Sequence, residues 1–172
     1  TMSAIDRVNR VLEVEPAAQT TARGLARVHV LLAVQSLVIV LVSINRLTAL
    51  ALSYVAANEF LRWVDFNNML VLPLISMVAF YLLKKQVEYD SPAREGRWNL
   101  AFNLVFISGL YLLAASYGDH EVTNYLHIRF CLTDETSPLC RIIIFNDDEF
   151  SHWVFFMGFV MVNTAMMLIQ AI

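Results

Sequence analysis

Three of the four histidines in this chain, His120, His127 and His152, have carboxylates close by in sequence. In "GDHEVTNYLH" (118–127), Asp119 and Glu121 flank His120, and His127 follows two helical turns later. In "NDDEFSHW" (146–153), Asp148 stands four residues and Glu149 three residues before His152. On a helix such separations put side chains on one face, and His120, Asn124 and His127 share the same stacking. Imidazole with carboxylate is a ligand set for zinc, copper or iron, and the mixture does not choose among them. The candidate metal ligands are therefore His120, His127, Asp148, Glu149 and His152, with Asp147 in the same acidic run and with Asp65 and Glu121 as further candidates. A metal held there would activate water or oxygen beside the hydrocarbon edge, where apolar substrates collect. Di-iron bundles carry two Glu-x-x-His motifs. This chain has one such motif here, Glu149 to His152, so that pattern is incomplete.

The same residues suit a plainer role. An acidic first turn complements the helix macrodipole by about 0.3–1 kcal/mol. Trp153 beside His152 fits an aromatic belt at a membrane interface. Asp65 can pair with Arg62 at i, i+3 or face inward and join the histidines.

The elements that must position these groups are membrane spans. Of 172 residues, 58% are hydrophobic and the mean hydropathy is +0.58, well above the roughly 45–50% of a soluble domain. Several runs approach the ~20 residues that cross a hydrocarbon core as helix. The pattern predicts an all-α integral membrane protein, one domain over 1–172, built as a four-helix bundle. Residues 1–27 form a polar tail, and the spans fall at about 28–52, 66–83, 98–117 and 152–172. No Pro or Gly interrupts residues 25–72, so the first helix is expected to run on past Arg46 with an interfacial end. Pro73 predicts a kink in the second span, which Lys84 and Lys85 close. An outer loop of about 30 residues joins spans three and four.

Charge sets an expected orientation. Arg7, Arg10, Arg23, Arg27, Lys84, Lys85, Arg94 and Arg97 fall on one side, against Arg46, Arg62, Arg129 and Arg141 on the other. The positive-inside bias then puts both termini on the cytoplasmic side. Cys131 and Cys140, nine apart, are the two cysteines of the chain, and both lie in the expected outer loop. A disulfide there would be kept by an oxidising compartment. Their spacing is not the Cys-x-x-Cys of thiol oxidoreductases.

Other chemistries are excluded. The five glycines are scattered, so no phosphate loop exists, and neither a Gly-x-Ser-x-Gly elbow nor His-Glu-x-x-His occurs. A net charge of −3 without a basic block argues against nucleic acid. Gln35, Asn103, Ser108, Asn163, Thr164 and Gln170 are expected to serve as interhelical hydrogen-bond groups. Three function classes remain: a metal-dependent membrane enzyme acting on a lipid or small apolar substrate, a non-catalytic subunit or assembly factor of a larger membrane complex, and a cation-handling channel component. The expected partners are the lipid bilayer and either other membrane subunits or further copies of the chain.

Overall fold

A computed structural model describes residues 4–89, 91, 96 and 98–171, with side chains from Arg23 onward. Arg94 and Arg97 lie outside the described residues, as do the side chains of Arg7 and Arg10. Among the described residues, four helices are long and apolar enough to cross a membrane. They are α1 (Ala4–Ile44), α2 (Trp63–Glu88), α3 (Asn99–Cys131) and α4 (Pro138–Ala171). Among the described residues there is no strand, apart from a single bridge between Tyr54 and Arg62. By the length and composition of these helices the chain fits a multi-pass membrane protein of the all-helical class.

The centre of the bundle is filled by Phe80, Leu83, Phe106, Leu113, Val162, Ala165 and Met166. Around it the helices turn leucine, isoleucine, valine and phenylalanine outward, including Leu74, Leu104, Ile107, Phe156 and Val160. In water such a surface would be untenable, whereas lipid tails are its natural solvent. The closest helix pair is α3 with α4, and glycine is what lets them close. A Cβ on Gly158 would lie 2.7 Å from the Gly109 carbonyl oxygen, and one on Gly109 would lie 2.9 Å from that of Gly158. Small residues at a crossing allow backbones to approach and gain dispersion contacts in lipid. Helices α1 and α2 are held by polar bonds instead. Gln35 Nε2 donates to the Ser76 carbonyl at 2.7 Å, and Ser76 Oγ donates to Gln35 Oε1 at 2.7 Å. Gln35 thereby acts as the interhelical group its sequence position predicts.

The first helix does not run on. After Ile44 a single 3-10 turn, Asn45–Leu47, ends it, and residues 48–62 form turns. The helix-breaking residues are neither Pro nor Gly. Thr48 Oγ1 accepts from Ala51 N at 3.4 Å, Ser53 Oγ donates to the Leu50 carbonyl at 2.6 Å, and Asn58 Oδ1 accepts from Phe60 N at 3.2 Å. Short polar side chains that bond the nearby backbone compete with helix continuation. Glu59, with φ of 58°, reverses the chain.

The expected outer loop is largely helical. Helix α3 continues through Gly118 to Cys131, and α4 starts at Pro138, leaving residues 132–137 as a turn. Asp134 accepts from Thr136 Oγ1 at 2.6 Å and Thr136 N at 3.0 Å, which holds its carboxyl below the usual carboxylate range. Ser137 then caps α4 by accepting from Cys140 N at 3.3 Å, with Pro138 in the first turn, a combination that starts helices well. The Cys131 and Cys140 sulfurs stand 2.05 Å apart, a disulfide that ties the end of α3 to the start of α4.

Three π turns interrupt the helices: Asn67–Val71 in α2, His127–Cys131 in α3 and Asn146–Phe150 in α4. All three occur near the end of the bundle that carries the histidines. The first ends at Val71, two residues before Pro73. At the other end, Lys84 does more than close a span. It is buried at 1% exposure, ion-paired with Glu88 and bonded to Asn103 Oδ1 at 2.8 Å. The sequence reading placed both lysines at the edge; in the structure the helix continues to Glu88 and turns Lys84 inward.

Candidate metal centre

The histidine end of the bundle is organised around Asp147, a residue 1% exposed in the π turn of α4. Its carboxylate meets two imidazoles from α3. His127 Nδ1 lies 3.2 Å from Oδ2, and His120 Nδ1 lies 2.9 Å from Oδ1. Asn124, one turn between them, donates Nδ2 to Oδ2 at 3.2 Å. The stacking of His120, Asn124 and His127 on one face therefore delivers all three to a single acid. His120 Nδ1 is also 3.2 Å from the Asp147 carbonyl oxygen.

Helical periodicity explains why Asp147 takes this place: the buried positions of α4 include Cys140, Ile143, Asp147 and Ser151, three and four residues apart. The Asp147 carbonyl also accepts from the buried Ser151 Oγ, one turn on, at 2.7 Å. Asp148 is exposed beside it, and ligand atoms of His127, Asp147 and Asp148 all lie within 4.8 Å of one another. Glu149 is exposed and outside that group. His152 is exposed too; its Nδ1 lies 2.9 Å from the Asp148 carbonyl and its ring centre 5.2 Å from that of His120.

A second layer ties the cluster to α1 and α2. Glu121, 1% exposed, receives Arg46 NH2 at 2.6 Å and Asn68 Nδ2 at 3.4 Å. Arg46 also reaches Asn124 Oδ1 at 3.3 Å and lies 3.4 Å from His120 Nε2. Asn68 in turn bonds Asn45 at 3.0 Å and the Val42 carbonyl at 3.2 Å. One polar chain therefore runs from Glu121 through Arg46, His120 and Asp147 to His127. Sequence inspection did not single out Arg46 or Asn68. The available signal was a lone cation at the end of an apolar run, which in lipid needs an anion. Asp65 stands apart from the cluster, held by Arg62 in a two-pronged pair with both N–O distances at 2.8 Å.

The geometry fits a metal's needs. Two ligands about 2.0–2.2 Å from one ion stand roughly 2.8–3.6 Å apart, from right-angle to tetrahedral coordination. The His127–Asp147 and His120–Asp147 separations fall in that window. Around this carboxylate, His127 Nε2, Glu121 Oε2 and Asp119 Oδ2 are buried atoms with no hydrogen-bond partner among the described residues. Buried polar atoms normally find a partner, and these three would accept one from a bound ion or water. No family model, curated protein or solved structure matches this chain, so the chemistry of the site alone carries the functional reading.

Proposed function

We propose that the chain is a membrane metalloprotein that holds a divalent transition metal, zinc, copper or iron, through His127, Asp147 and Asp148. The observation that carries this reading is the buried Asp147 carboxylate gripped by two imidazoles, with a carboxylate oxygen of Asp148 within 4.8 Å of the His127 and Asp147 ligand atoms. His120 orients Asp147 and stands ready as a further nitrogen ligand; His152 borders the open side. Three protein ligands with an open position is the pattern of catalytic rather than structural sites. Such a metal supplies Lewis acidity and a water made nucleophilic at neutral pH.

An enzyme acting on a lipid or small apolar substrate follows from where the open side faces. Asp148 and His152 are exposed next to Phe145, Phe150 and Trp153, an aromatic surface at the histidine end. Aromatic side chains of this kind favour the boundary between headgroups and acyl chains. The disulfide at the same end agrees with a side remote from the cytoplasm, as the basic residues also suggest.

A second reading, a non-catalytic subunit or assembly factor, draws support from α1. That helix buries little beyond Val38 and exposes Leu25, Val30, Leu37 and Ile39, a surface that a further membrane subunit or a second copy could cover. The cation-channel reading has less support, because Phe106 and Leu113 fill the bundle centre.

Thermal unfolding of chelator-stripped protein in detergent separates these readings. With added Zn2+, Cu2+ or Fe2+ at about 100 times the Kd, linkage gives about 2.7 kcal/mol of stabilisation. Equal melting with and without every one of these ions would leave the subunit reading ahead.

A further inference from the structure

At the opposite end of the bundle, α1 and α2 part to form a groove of about 500 Å³ with Ala26, Val30 and Leu82 in its wall and Arg27 and Lys85 among its lining residues. That volume lies within the usual range of small-molecule sites. The two cations come together because the helix register demands it. The Gln35–Ser76 and Val42–Asn68 bonds fix α1 antiparallel to α2. Eight residues before Gln35 on α1, about 12 Å along the axis, Arg27 is level with residues 84 and 85 of α2. The adjacent lysines then divide: Lys84 turns into the core, whereas the Lys85 side chain is 56% exposed at the groove.

Among the described residues the charge at this mouth is not neutralised. Glu88 serves both lysines, pairing with Lys84 and lying 3.5 Å from Lys85 Nζ. Arg27 is exposed and has no ion-pair partner among the described residues, and Arg23 stands one turn away on the same helix. An apolar slot open to the bilayer, with unneutralised cations at one end, matches a molecule with an acyl chain and an anionic head. Basic pockets between membrane helices bind such headgroups.

We propose that this groove binds one anionic phospholipid, with an acyl chain against Ala26, Val30 and Leu82 and the phosphate between Arg27 and Lys85. The site is remote from the histidine cluster and independent of any metal there. Native mass spectrometry of the full chain, released by mild detergent from bilayers of phosphatidylcholine with a minor fraction of phosphatidylglycerol, tests it. Wild type should retain a single phosphatidylglycerol in preference to phosphatidylcholine. Arg27→Gln with Lys85→Gln should weaken that retention about tenfold, the loss of roughly 1.4 kcal/mol. Val30→Trp, which fills the groove and keeps both cations, should also lose the lipid. It decides the matter should the double variant fail to fold. Equal retention of the two lipids by wild type would overturn the proposal, as would retention unchanged in either variant.

Discussion

His127 Nδ1 and Asp147 Oδ2 face each other at 3.2 Å across the junction of α3 and α4, each within a π turn of its helix. Asp147 reaches α3 because it lies on the buried face of α4, one turn from Ile143 on one side and from Ser151 on the other. Four residues beyond His127, Cys131 is joined to Cys140, so a covalent tie lies next to the polar one.

Removing that tie should loosen the site more than the bundle. Closing a loop of this size is worth about 2–3 kcal/mol in the chain-entropy picture. Cys131→Ser with Cys140→Ser should lower unfolding stability by about that amount. Hydrogen exchange should rise first around residues 127–147 and leave the Gly109–Gly158 crossing protected. Uniform loss of protection along all four helices would contradict a local role.

Arg46 is the cation on which the buried Glu121 depends. Arg46→Met should cost about 2–3 kcal/mol, short of the full penalty for a buried pair because Arg46 is partly exposed. Adding Glu121→Gln should recover a large part of the loss, since no uncompensated charge then remains. Denaturant titration in detergent of the single and double variants reads this coupling; strictly additive losses would argue that the two side chains do not depend on each other.

Lys84 and Glu88 form the corresponding pair at the other end. Breaking a buried pair by removing one partner costs about 3–5 kcal/mol, whereas replacing both with apolar residues is often neutral. Lys84→Met alone should therefore destabilise strongly, and Lys84→Met with Glu88→Leu should melt near wild type. A double variant less stable than the single one would mean that the Lys84–Asn103 bond outweighs the ion pair.

Gly158 tests the helix crossing. A Cβ there meets the Gly109 carbonyl at 2.7 Å and Leu113 N at 2.8 Å, both backbone atoms that cannot swing aside. Gly158→Val should force α3 and α4 apart and destabilise by about 1–3 kcal/mol, the usual range for overpacking. Gly118→Ala, with open space around the site, should be tolerated. Equal effects of the two substitutions would remove the steric explanation.

The class and the spans were legible in the sequence because twenty-residue apolar runs have few other uses. The meeting of His120, Asn124 and His127 was legible too, as helical periodicity within one segment is a local property. Three features were not. The end of α1 near Ile44 depends on threonine, serine and asparagine side chains choosing the backbone over solvent. The choice of Asp147 over its neighbours Asp148 and Glu149 depends on His120 and His127 of another helix. The burial of Lys84 depends on Glu88 and Asn103, and Asn103 comes from another helix. In each case the deciding partner is a backbone group or a distant residue, which a periodicity along one segment does not contain.

The central claim is the metal at Asp147. Elemental analysis of the purified chain, set beside Asp147→Asn and His127→Ala, tests it most directly. Asparagine keeps the shape of the carboxylate but removes the charge that a divalent ion and both imidazoles require. Wild type should carry close to a stoichiometric amount of zinc, copper or iron. Both variants should carry a small fraction of it, and wild type should lose the metal at acid pH as protons compete for the imidazoles. Metal-free wild type that still fails to take up any of these ions after reconstitution, or Asp147→Asn retaining as much as wild type, would contradict the account.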